Sequence, residues 1–168
     1  MAKHPKPGGT PATVALTAAG VAFTLHPYTH ADGERHFGDE ATAALGLDPA
    51  RVFKTLVAEL VGGALPGGGL AVAVVPVAQQ LDLKALATAL GAKKAAMADP
   101  AAAQRSSGYV LGGISPLGQR TALPTVVDAS ALTFPTVYLS AGRRGLQVEV
   151  SPTNLVTLTD AKVAAIGH

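Results

Sequence analysis

The chain has 168 residues, 48% of them hydrophobic and 14% charged, which excludes a disordered polymer and, at roughly 100–200 residues per domain, argues against two full domains. Thirteen Lys and Arg against eleven Asp and Glu leave a net charge of +2, too little for a polycation, and the absence of cysteine removes disulfides, thiolate zinc sites, iron–sulfur clusters and cysteine nucleophiles together. Aromatics are only 4% with no Trp, so the core must be small and aliphatic, and stacking platforms for bases are scarce.

Residues 1–9 read as a disordered tail and residues 10–168 as a single domain. Thr10-Pro11 is a helix N-cap followed by proline at the first helical position, and Gly20 closes that helix. A strand is expected over 22–25, a helix over 38–45 ended by Gly46, and a β-rich run over 52–60. Glycines and Pro66 between Gly62 and Gly69 suggest a hairpin-like connection to an apolar strand over 70–75. These glycines form no phosphate-binding loop, because Lys54-Thr55 follows Phe53 where a P-loop needs glycine. Asp82 caps a helix through Leu90 stopped by Gly91, and Asp99-Pro100 caps another to about Arg105. Short β-type runs follow at 109–111, 125–127, 136–139 and 146–150, with Gly142-Arg143-Arg144-Gly145 as the last turn, and Ser151-Pro152 caps a C-terminal helix. Helices early, strands later and no regular βαβ alternation predict a mixed α+β fold: a curled, mostly antiparallel mixed sheet or partial barrel surrounded by helices.

Alternation along 52–60 puts Lys54 on one strand face with Val52, Leu56, Ala58 and Leu60. A cation among apolar neighbours needs an anionic or carbonyl partner or an opening to water, although an edge-strand lysine that reaches solvent gives the same pattern. The loop Gly112-Gly113-Ile114-Ser115-Pro116-Leu117-Gly118 can bring backbone N–H groups close to a carbonyl or phosphate oxygen, or can be a plain tight turn. His26, His30 and His36 do not make a metal site: Pro27 opposes a helix there, and extended residues four apart stand about 13 Å from each other. Ser115 or Ser140 with His36 and Asp128 supplies the residue types of a triad without a nucleophile elbow. Six acids (Asp32, Glu34, Asp39, Glu40, Asp48, Glu59) fall between residues 32 and 59, whereas Lys84, Lys93, Lys94, Arg105, Arg120, Arg143 and Arg144 give the later part a positive balance suited to a polyanion, or to ordinary solvation. Arg143 and Arg144, in a glycine-flanked turn, are expected to project into solvent.

The segments Phe37-Gly38-Asp39-Glu40, Val52-Phe53-Lys54-Thr55, Leu70 to Val74, Gln80 to Lys84, Gly91 to Lys94, Met97 to Pro100, Gly108 to Gly118 and Ser140 to Leu146 come in an order and spacing that resembles the YbaK family of bacterial Cys-tRNA(Pro) deacylases, from about Thr10 to Lys162. The resemblance implies a fold related to the editing domain inserted in bacterial prolyl-tRNA synthetases, and hydrolysis of cysteine mischarged onto proline tRNA. It implies Lys54 as the essential lysine and Gly112 to Pro116 as the Gly-x-x-x-Pro loop, so that Lys54, Gly112, Gly113 and Ser115 would be catalytic. Tyr28, Phe37, Thr55, Ile114, Pro116, Ser140 and Gln147 would bind substrate, with Gln147 standing where relatives commonly carry Asp. Lys93, Lys94, Arg105, Arg143 and Arg144 would meet tRNA. The implied mechanism uses the substrate's own thiol as nucleophile and needs no metal or cofactor. Implied partners are mischarged proline tRNA and prolyl-tRNA synthetase, with no DNA expected; the charged start without an apolar region behind it, and the lack of any run of about 18 apolar residues, read as a cytoplasmic protein with no membrane partner. A deacylase for another mischarged tRNA such as Ala-tRNA(Pro), or a non-catalytic tRNA- or synthetase-binding module, is the alternative.

Overall fold

A computed structural model describes residues 9–62 and 69–168. The expected tail over 1–9 and the connection through Pro66 therefore lie, apart from Gly9, outside the described residues. Thr10 caps α1 (Pro11–Ala19) through a reciprocal hydrogen-bonded box with Thr13, and Gly20 ends it in the left-handed conformation. Strand β1 (Phe23–Pro27) follows, then α2 (Phe37–Leu45). The alternating run becomes β2 (Phe53–Val61), paired antiparallel with β3 (Leu70–Pro76). Asp82 caps α3 (Leu83–Ala89) by accepting the Ala85 N–H, and β4 (Lys94–Met97) and α4 (Pro100–Ser107) come next. The chain then forms β5 (Thr125–Asp128), a short 3-10 turn (Ala129–Thr133), β6 (Val137–Arg143), β7 (Leu146–Val150), α5 (Pro152–Thr159) and β8 (Lys162–Ala164).

These strands make two sheets, of order β1-β7-β6 and β4-β2-β3-β5-β8. Pairing is antiparallel except for β5, which runs parallel to both β3 and β8. The expected curl takes the form of a junction: a parallel bridge of Val52 to Tyr138, with Tyr138 N–H donating to the Arg51 carbonyl, ties the start of β2 to β6. The main core lies between the sheets, where Phe53, Val57, Val72 and Val74 meet Val137, Leu139, Leu146 and Val148, closed by Leu16 and Leu155 from α1 and α5. Because side chains alternate along a strand, Ala73 and Val75 of β3 face the other way and form a second cluster with Ala58, Leu86, Val126 and Ile166. Strand β3 is therefore covered on both faces, and its unbroken apolar sequence follows from that.

One predicted strand is absent. Residues 109–111 run as loop, because their hydrogen bonds go to local partners and not to a ladder. Tyr109 N–H reaches Ser107 Oγ, its hydroxyl donates to the Leu117 carbonyl at 2.6 Å, and Leu111 N–H reaches Gln104 Oε1. The buried Tyr109 ring thus anchors the glycine-rich loop onto the main core.

Candidate active site

A cavity of about 390 Å³ opens where the start of β2, the N-terminus of α2 and the loop after α4 converge on β6 and β7. This size falls near the lower end of the roughly 300–1,000 Å³ typical of small-ligand sites. Lys54, Thr55, Phe37, Gly112, Ile114, Ser140 and Gln147, all singled out in the sequence, line it together. Successive positions on β2 place Lys54 and Thr55 on opposite strand faces, yet both border the cavity because it wraps the strand's exposed beginning.

Lys54 is half-buried, and among the described residues its ammonium has no hydrogen-bond or ion-pair partner. Burial depresses its pKa, and the negative charge of Asp39, at the first turn of α2, partly opposes that shift. The N-cap of α2, His36, makes no side-chain cap bond, so the positive end of the helix also faces the cavity uncapped.

Gly112 adopts φ +82°, and a Cβ there would lie 2.5 Å from the Phe37 ring, so the loop backbone rests directly on that ring. Arg144 covers it from another side, its guanidinium 4.8 Å from the ring centroid and its Nε donating to the Leu111 carbonyl at 2.7 Å. Arg144 is exposed, as expected, but not free: these contacts fasten the β6-β7 hairpin to Phe37 and the glycine loop. Arg143 is exposed and also engaged by other residues. Gly113 is buried against Arg143, where a Cβ would stand 2.8 Å from the Arg143 Cα.

Other members of the expected set lie outside the cavity lining. The Gly113 N–H donates to the Val110 carbonyl and so is already occupied. Ser115 is fully buried, its hydroxyl accepting the Leu117 N–H, and Pro116 is buried beside it. Tyr28 lies next to Gln147 without lining the cavity, and burial raises the phenol's pKa. Glu40 of α2 holds this region by accepting the Ala31 N–H at 2.7 Å and pairing with His30 at 2.6 Å. Lys93 and Lys94 are exposed near the far end of β2, where Lys94 pairs with Val61, about 23 Å along the strand from Lys54. Arg105 is exposed on α4.

The triad types do not assemble. Asp128 accepts the Ile166 and Gly167 N–H groups at 2.9 Å, Ser140 Oγ accepts the Gly142 N–H, and neither Asp128 nor Ser115 borders the cavity. His26, His30 and His36 each take a separate carboxylate, Glu149, Glu40 and Glu34, and the described residues contain no metal-capable cluster. Asp39, Arg35 and Val77 line the cavity but carried no assigned role in the sequence, and His36, weighed there only as a triad or metal residue, lines it too. Asp39 stood inside a recognised motif, whereas Val77 gave no signal.

Residues 36–158 match the family model described as aminoacyl-tRNA editing domain. A protein of Enterococcus faecalis, named as a candidate Cys-tRNA(Pro)/Cys-tRNA(Cys) deacylase EbsC, is 39% identical over 140 residues, 83% of this chain and 82% of its own. Among solved structures, a hypothetical protein superposes with TM-score 0.81 at 25% identity, covering 94% of this chain and 99% of its own. Another, described as a candidate trans-editing enzyme for prolyl-tRNA synthetase, superposes with TM-score 0.80 at 24% identity over 97% and 98%.

Proposed function

From the premise that this chain belongs to the aminoacyl-tRNA editing domain family, we propose that it is a trans-acting deacylase that hydrolyses cysteine from mischarged proline tRNA. The observation that carries this reading is the convergence, on one cavity, of a half-buried unpaired lysine, a glycine loop lying against Phe37, and buried side-chain oxygens without partners. No cysteine exists in the chain, Ser140 of the cavity lining is not paired with a base, and the Ser130–Asp128 pair lies outside the lining, so the cavity presents no activated serine or cysteine nucleophile. The substrate supplies the nucleophile. Its thiol sulfur attacks the ester carbonyl carbon, the C–O bond to the terminal ribose breaks, the thiol proton passes to the departing ribose oxygen, and the cyclic thioester released is opened by water.

The protein's contribution is then placement and electrostatics. Lys54 and the open end of α2 hold the anionic or polar acceptor end of the tRNA, and the backbone at Gly112 and Ile114 faces the carbonyl oxygen. Such a site selects by substrate reactivity: a small aliphatic pocket separates side chains differing by one methylene by only about 1–3 kcal/mol, whereas an amino acid without a thiol has no internal nucleophile. Modest net charge favours action beside prolyl-tRNA synthetase, which would present the tRNA, in the cytoplasm. Residues 10–168 would serve as one editing domain. The test is deacylation assayed across Cys-, Ala-, Ser- and Pro-tRNA(Pro). Selective release of tRNA from the cysteinyl ester is expected, and selective release from the alanyl ester would move the substrate assignment to the alternative.

A further inference from the structure

Among the described residues, the buried side-chain polar atoms without a hydrogen-bond partner are Thr55 Oγ1 and Gln147 Oε1, and both residues line the cavity. Gln147 sits mid-strand in β7, opposite His26 of β1 and Ser140 of β6, and is only 7% exposed. The Tyr28 phenol lies beside it. Gln147 Oε1 is buried without a partner. A carbonyl oxygen only accepts, so whatever completes the site must bring a donor to it.

An aminoacyl ester offers the α-ammonium, the ribose hydroxyl and, for cysteine, the thiol. The thiol is a weak donor, and the ribose continues into the tRNA and so belongs at the mouth, near Lys54 and the N-terminus of α2. Gln147 lies instead on the sheet wall. An ammonium donating to a dry neutral acceptor makes the stronger, charge-assisted bond. Strand alternation also turns the Thr55 hydroxyl away from the Lys54 ammonium, so a second cation there need not face the first. We propose that Gln147 Oε1 and Thr55 Oγ1 form the receptor for the substrate's α-ammonium, which makes a free amino group a specificity requirement of the site. This rests on the deacylase reading above and adds that N-acylated aminoacyl esters, peptidyl esters included, are rejected.

The experiment compares cysteinyl-tRNA(Pro) with N-acetylcysteinyl-tRNA(Pro), each rate divided by the spontaneous rate of the same ester. Wild type should prefer the free amine by about tenfold or more. Gln147→Leu and the near-isosteric Thr55→Val should each lower kcat/KM for the free amine by about tenfold while leaving the N-acetyl ester unchanged, and Gln147→Glu, which keeps an acceptor, should retain the preference. Equal wild-type rates on the two esters, or equal losses on both in folded variants, would overturn recognition of the amine while leaving the deacylase reading intact. Cleavage of neither ester by wild type would overturn both.

Discussion

Lys54 carries a cation that the fold only half accommodates, and its stability and activity should therefore pull in opposite directions. Its pKa is below that of an exposed lysine chiefly because of burial, so the folded state binds the proton less well than the unfolded state. By linkage, stability rises with pH between the lowered folded value and about 10.5. At neutral pH the charged group is a net cost, and Lys54→Met should raise the melting temperature while removing most deacylation. A variant that melts lower yet turns over normally would sink the role assigned to the lysine. Activity over background should fall as pH rises through the Lys54 pKa. Since Asp39 holds that pKa up, Asp39→Asn should move the alkaline fall to lower pH; an unmoved profile would mean that another group titrates.

At the scale of elements, the hairpin and the glycine loop act as one piece. Arg144 joins them through its bond to the Leu111 carbonyl and its stacking on Phe37, interactions worth roughly 1–3 kcal/mol together. Arg144→Gln should lower stability by about that much in chemical denaturation and weaken catalysis, whereas Arg143→Gln should leave catalysis nearly unchanged. The same effect from both would return the pair to a shared surface role. Gly113→Val should suppress activity because its side chain would collide with the Arg143 backbone and push the loop from the hairpin. Normal turnover by that variant would show the loop position to be irrelevant to the site.

Elements whose signals are local were legible in the sequence. Thr10-Pro11 with Gly20, Asp82 and Ser151-Pro152 marked helices, and the alternation over 52–60 placed Lys54 correctly on its strand. Strands β4 and β8, by contrast, are short and partly alanine, and exist because β2 and β5 offer them ladders. Residues 109–111 have strand-like composition but follow the Tyr109 anchor. The approach of Asp39 and Val77 to Lys54 was invisible for a similar reason, since it depends on how α2 packs over the ends of β2 and β3.

Across the whole molecule, the positive residues expected to meet tRNA do not form one patch around the cavity. Arg144 packs on Phe37 beside the cavity, while Lys93 and Lys94 stand about 23 Å away along β2. A tRNA whose acceptor end enters the cavity can reach both regions, but the distant pair would then carry affinity without chemistry. Replacing Lys93 and Lys94 with Gln should reduce the slope of log binding constant against log salt by about 0.7–0.9 for each phosphate no longer neutralised, with the single-turnover rate at saturation unchanged. An unchanged slope would place the tRNA footprint elsewhere, on Arg105 or on prolyl-tRNA synthetase.

The central claim is that this fold positions a substrate that supplies its own nucleophile, and one paired measurement tests it most directly. Binding and single-turnover hydrolysis are measured with cysteinyl-tRNA(Pro) and with the same tRNA carrying S-methylcysteine. The account predicts comparable binding of both, rapid release of tRNA from the thiol-bearing ester, and almost none above background from the methylated one. Cleavage of the methylated ester at an ordinary rate would contradict it, because the protein would then have to activate a water with a general base of its own.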